Sequence, residues 1–152
     1  MKLAEALQER ADLNLKIEQL RSRIQNNVLV QEGEKTSENP YKLMEELDEC
    51  LGRLEYLIRQ INLTNSESRI DGATLTELIA RKDAMKLKQS AYRDILYSAS
   101  QSTHRARNTE IRIVAAVNVE ELQKRADSLA KDLRLLDNKI QQANWLTDLI
   151  EN

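Results

Sequence analysis

A chain of 152 residues and 17.5 kDa is long enough for one domain with a buried core. With no Phe, one Trp, four Tyr, three Gly and one Pro, it lacks the aromatic and turn residues that most sheet folds need. Its 23 Lys and Arg against 25 Asp and Glu leave a net charge of -2, which excludes a global field for attracting nucleic acid or acidic membranes and leaves only local binding of either.

The rest is rich in Leu, Ala, Glu, Lys, Arg and Gln, the mixture that forms long amphipathic helices. Apolar residues at alternating steps of three and four mark helices with one buried seam. Helix 1 runs from about Lys2 to Asn26 on Leu3, Ala6, Leu13, Ile17, Leu20 and Ile24, with Arg10 and Asn27 as polar interruptions. The stretch NNVLVQEGEK follows, and its β-branched residues predict a short strand over 28–31. Helix 2 opens at Asn39 and Pro40, a cap residue before the proline favoured at the first helical position, and carries Leu43, Leu47, Cys50, Leu54, Leu57 and Ile61. NLTNSESRIDGAT then predicts a polar loop with a turn at Asp71 and Gly72.

Helix 3 starts at Thr74 or Thr76 and holds the weakest seam: Leu75, Ile79, Met85, Tyr92 and Leu96, with Lys82 and Gln89 in the same register. EIRIVAAVN predicts a second strand over 111–117. Helix 4 opens at Asn118 with Glu121 three residues later, a capping-box-like pair, and continues to Ile150. At about 32 residues it would measure roughly 48 Å. If the helices alternate, the first and third connections meet at one end. The expected fold is therefore mainly α, an up-and-down antiparallel four-helix bundle in a single domain over 1–152, with two short strands paired at one end.

The chemical inventory is thin. Cys50 occupies a seam position, where a cysteine acts as a small hydrophobe, and it has no second cysteine to pair with. No HExxH, CxxC, phosphate loop or calcium loop occurs, and one histidine is too few for a di-iron bundle. No catalytic residue, metal or cofactor is expected. Counting along alternating helices places Arg10, Glu55, Lys82 and Asn144 at one level, a possible polar layer inside the bundle. Thr64, Asn65, Arg69 and Asp71 in the second connection form one possible ligand loop, set against a simple capped turn. His104, Arg105 and Arg107, followed by Arg112, form the other, the nearest approach to a phosphate or nucleic-acid patch. Few aromatics stand near it, so the nucleic-acid signal is not strong. The ligand is unknown.

Several separated blocks carry a resemblance: MKLAEALQERADLNLKI, NNVLVQEGE before a proline-started helix, INLTNSES followed by DG and TLTELIARKD, and LDNKIQQANWLTDL. Together they resemble a family of small bacterial proteins of unassigned function, some members of which are labelled septicolysin. The resemblance implies a helical oligomer of the bacterial cytoplasm and brings no catalytic residues. The label suggests a pore-forming cytolysin, whereas the sequence has no secretory signal, no transmembrane segment and no Trp-rich insertion segment.

In the second predicted strand, Ile111, Ile113, Ala115 and Val117 point one way and Val114 and Ala116 the other, while Leu29 opposes Val28 and Val30 in the first. A two-stranded ribbon exposes one of these apolar faces, which a homo-oligomer with Leu29, Val114 and Ala116 in its interface would cover. The sequence thus points to a cytoplasmic, non-enzymatic, self-associating helical protein. A membrane-active cytolysin and a phosphate or nucleic-acid binding module are the alternatives.

Overall fold

A computed structural model describes residues 1–101 and 111–152. Among them are four helices, α1 (Leu3–Asn26), α2 (Pro40–Glu67), α3 (Leu75–Ser100) and α4 (Val119–Leu146), and two short strands, β1 (Arg69–Ile70) and β2 (Ala73–Thr74), paired in one sheet. The mainly helical class with one small two-stranded sheet matches expectation, although the strands are not the expected segments. The described residues divide into two compact units, Met1–Ile70 with Ala143–Asn152, and Asp71–Gln142.

In the first unit α1 and α2 pack antiparallel. Ion pairs Glu9–Arg53, Lys16–Glu46 and Arg23–Glu38 show the direction, since numbers rise along one partner as they fall along the other. Between them lie buried Ile17, Leu20, Leu43 and Cys50, with Leu13, Ile24, Leu47 and Leu54 packed alongside. These are the residues of the three-four rhythm, because that spacing keeps one face of each helix on the seam. Asn39 caps α2 by accepting from the Tyr41 N–H at 3.0 Å, ahead of Pro40.

The chain's last residues close this unit. α4 stops at Leu146 and not at Ile150, and the following segment runs beside the start of α1. Leu3 N–H donates to Thr147 O and Leu149 N–H to Met1 O, each at 2.9 Å. These bonds take the tail out of the helix by giving its backbone extended partners instead.

In the second unit α3 and α4 also run antiparallel, with Lys82 paired to Asp137 and Asp71, ahead of α3, to Lys139. Thr74 starts α3 with a full capping box: its hydroxyl accepts from Glu77 N–H at 3.1 Å, and its own N–H donates to the Glu77 carboxylate at 2.6 Å. At α4, Asn118 Oδ1 accepts from Glu121 N–H at 3.0 Å, as the sequence predicts. The weak seam of α3 is real, for only Leu75 and Leu78 are buried on it.

All three connections differ from expectation. Residues 28–31 and 111–117 form no strand. Val28, Leu29 and Val30 are 52%, 87% and 51% exposed, and β propensity expresses fit to a half-buried pleated surface that neither segment is given. The strands lie instead in the second connection, around Asp71 (φ 50°) and Gly72 (φ 87°). Two consecutive positive φ angles make the tight primed turn whose twist suits a hairpin, and Asp-Gly is a preferred pair for it. That connection is also shorter than predicted. α2 continues through Thr64 and Asn65 to Glu67, so these two residues are helical and do not belong to a loop.

Candidate functional site

The buried polar groups come first, since a catalytic or binding centre needs such groups aimed at a ligand. Thr64 is fully buried, donates its hydroxyl to Gln60 O at 2.7 Å and accepts from Ile150 N–H at 2.9 Å. Gln60 Nε2 donates to Ile150 O at 2.7 Å. Asn27 Nδ2 donates to Arg23 O at 2.8 Å, and its Oδ1 accepts from Glu38 N–H at 3.0 Å. Among the described residues every buried side-chain nitrogen and oxygen has a partner. These groups therefore hold the chain together. Sequence reasoning missed Gln60 and took Asn27 as a mere interruption of the seam; its only local signal was an Asn just past a helix end.

The residues expected at one polar level are placed as follows. Arg10 is half-buried on α1, Glu55 exposed on α2 and Asn144 buried near the end of α4, all in the first unit. Lys82 belongs to the second unit, where its partner is Asp137. The charges that do meet in the first unit lie beside the expected ones: Arg53 Nε and Nη2 reach the two Glu9 oxygens at 2.6 and 2.9 Å. This forked pair holds the Glu9 carboxyl below its ordinary range, burial opposing the effect. In the same way the Lys82 ammonium lowers Asp137. Arg53 and Arg59 also stand 5.2 and 5.9 Å from the Tyr56 ring centre.

Of the expected ligand loops, Arg69 is exposed on β1 and Asp71 pairs with Lys139 in the hairpin turn. His104, Arg105 and Arg107 lie outside the described residues. Among the described residues no group of three or more His, Cys, Asp or Glu side chains could hold a metal ion. No helix among them is long and apolar enough to cross a membrane.

What stands out is uncovered apolar surface in the first and third connections. In the first unit Val28, Val30, Pro40, Tyr41 and Met44 line an open groove of about 700 Å³ beside Leu29. In the second, Ile95, Ala99 and residues 113–117 line another of about 420 Å³. Val114 is 65% exposed and Ala116 is exposed too. Leu29, Val114 and Ala116 are thus exposed, and no ribbon carries them. Each groove mixes apolar walls with polar residues and one charge, Lys35 and Asn27 among them in the first and Asp94 in the second.

Residues 10–149 match a family described as a family of unknown function, DUF6847. A solved structure, that of a functionally unknown conserved protein from Corynebacterium diphtheriae, is similar with a TM-score of 0.91 and 36% identity, over 99% of each chain. No curated protein matches.

Proposed function

We propose that this chain, which belongs to the family of unknown function DUF6847, is a cytoplasmic protein that works by self-association and carries out no catalysis of its own. One observation carries the reading: among the described residues of its first and third connections, large apolar side chains are exposed, Leu29 at 87% and Val114 at 65% foremost. A single exposed leucine on a protein surface is ordinary. Here they stand in runs, Val28 to Val30 and Ile113 to Val117, beside open grooves, and contiguous apolar patches of that kind mark contact surfaces. The near balance of acidic and basic residues puts little long-range repulsion between copies. A closed symmetric oligomer buries both runs with one chain.

Light scattering on the purified chain tests this. A mass at least twice 17.5 kDa at micromolar concentration is expected, and Val114→Asp or Leu29→Asp should move it toward the monomer with helical circular dichroism retained. A wild-type mass of one chain overturns the proposal.

A further inference from the structure

We infer that the cleft between α3 and α4 lined by Lys82, Lys86, Arg134 and Asp137 is a binding site for a small phosphomonoester. The cleft is open, measures about 300 Å³ and has Ala130 and Leu133 as its apolar wall. Its charges come from both helices, which the antiparallel pairing brings to one level. Lys82 is committed to Asp137, and the two charges cancel. Lys86 and Arg134 remain: both line the cleft, both are exposed, and neither has an ion-pair partner among the described residues. Two like charges in one small cleft repel, and an anion between them relieves the repulsion. Lys82 holds the Asp137 carboxyl below its ordinary range against the opposing effect of burial, and Lys86 contributes to the lowering. The Lys86 charge is therefore felt inside the cleft.

Neighbouring charges do not cancel this excess. Within about one helical turn of the lining residues stand Arg81, Lys88 and Lys131 against Asp83, Asp127 and Asp132, together with Lys139, which Asp71 neutralises. The surroundings are balanced, and the two unpartnered cations of the cleft are left over. Residues 71–142 as a whole also hold more Lys and Arg than Asp and Glu, although the full chain has a net charge of -2. Two positive charges suit a doubly charged anion, and a phosphomonoester at neutral pH carries nearly that charge on three acceptor oxygens. The planar guanidinium of Arg134 can meet two of those oxygens at once, while the Lys86 ammonium supplies a point charge for the third. The cleft is larger than a phosphate ion, and its apolar wall gives the ester's carbon group a surface on Ala130 and Leu133. Inorganic phosphate leaves that wall wet.

Calorimetric titration of the full chain with butyl phosphate tests the site, whether or not copies associate. Saturable binding of one ligand per chain is expected, several times tighter than that of inorganic phosphate under the same conditions. Lys86→Gln and Arg134→Gln should each weaken it about tenfold, with helical circular dichroism retained. Lys88→Gln removes the same charge outside the cleft and should weaken it by less than about twofold. No saturable binding at millimolar butyl phosphate overturns the site. An equal loss from Lys88→Gln overturns it too, since diffuse attraction to a basic surface would then account for the binding. Inorganic phosphate bound as tightly as butyl phosphate would overturn the ester in favour of a bare anion.

Discussion

Thr64 on α2 accepts a hydrogen bond from the backbone N–H of Ile150, 2.9 Å away and 86 residues later in the chain. The same hydroxyl donates to Gln60 O at 2.7 Å, so its proton and one lone pair are both committed. With Gln60 Nε2 on Ile150 O, one turn of α2 satisfies both backbone groups of a single tail residue. No water has access to Thr64, and an unpaired buried donor there would bear its full desolvation cost.

Thr64→Val keeps the shape and removes the acceptor. It should destabilise the chain by about 1–3 kcal/mol, read as a lower urea midpoint, with faster amide exchange at Ile150. Thr64→Ser keeps the hydroxyl and should recover most of the Ile150 protection. Equal exchange at Ile150 in the valine and serine variants would show that the tail is held by its apolar contacts instead.

Asn27 does for the first connection what Thr64 does for the tail. It joins the last turn of α1 to Glu38 across 11 residues, and Arg23 reinforces the join through its own pair with Glu38. Asn27→Ala removes both amide bonds and leaves Glu38 N–H without its acceptor. A loss of about 1–2 kcal/mol is expected, together with faster amide exchange in residues 28–38. Asn27→Asp preserves the acceptor and should protect Glu38 N–H better than alanine does.

Sequence patterns that act through near neighbours were legible, and those that act through distant ones were not. The Asn39-Pro40 start of α2, the Thr74 cap, one of two candidates for α3, and the Asn118 cap involve residues at most three apart. The α1 and α2 seam followed from period alone. The end of α4 did not, since Thr147 and Ile150 continue the apolar rhythm and are drawn away by partners at Leu3 and Thr64. The strands over 28–31 and 111–117 were inferred from β-branched content, which records where a strand can be buried and not whether a partner is present. The polar level containing Arg10 and Glu55 came from counting turns. Glu9 and Arg53, which do pair, sit at the edge of the seam, where long side chains can meet with their heads in water.

The hairpin between α2 and α3 rests on backbone conformation. Gly72 has φ 87° and open space around the position of a Cβ, so a substitution there meets strain and no clash. Gly72→Ala should destabilise by about 1 kcal/mol, whereas Asp71→Asn, in a residue type that tolerates φ 50°, should cost little beyond the Lys139 pair. Thr74→Ala should cost about 1 kcal/mol through the lost cap of α3. Thermal unfolding followed by circular dichroism measures all three, and a Gly72→Ala variant as stable as the wild type would contradict the positive-φ turn.

The forked pair of Glu9 and Arg53 should make stability depend on pH in one direction only. Arg53 holds the Glu9 carboxyl below its ordinary value of 4.5, so the folded chain binds this proton less readily than the unfolded one. The stabilisation is complete above the unfolded value and is lost as pH falls through the lower, folded one. Its size is limited, because the Arg53 and Glu9 side chains are 41% and 33% exposed and water screens them; about 0.5 kcal/mol near neutral pH is expected. Arg53 also lies 5.2 Å from the centre of the Tyr56 ring, so Arg53→Gln alone removes two interactions and overstates the pair. A double-mutant cycle with Glu9→Gln separates them. The coupling energy from urea unfolding should be near its full value at about pH 7, shrink in about 1 M salt, and vanish near pH 2. The part of the Arg53 effect that survives at low pH is the contact with Tyr56. A coupling between Glu9 and Arg53 that persisted undiminished in acid would mean that the two side chains cooperate through packing and not through charge.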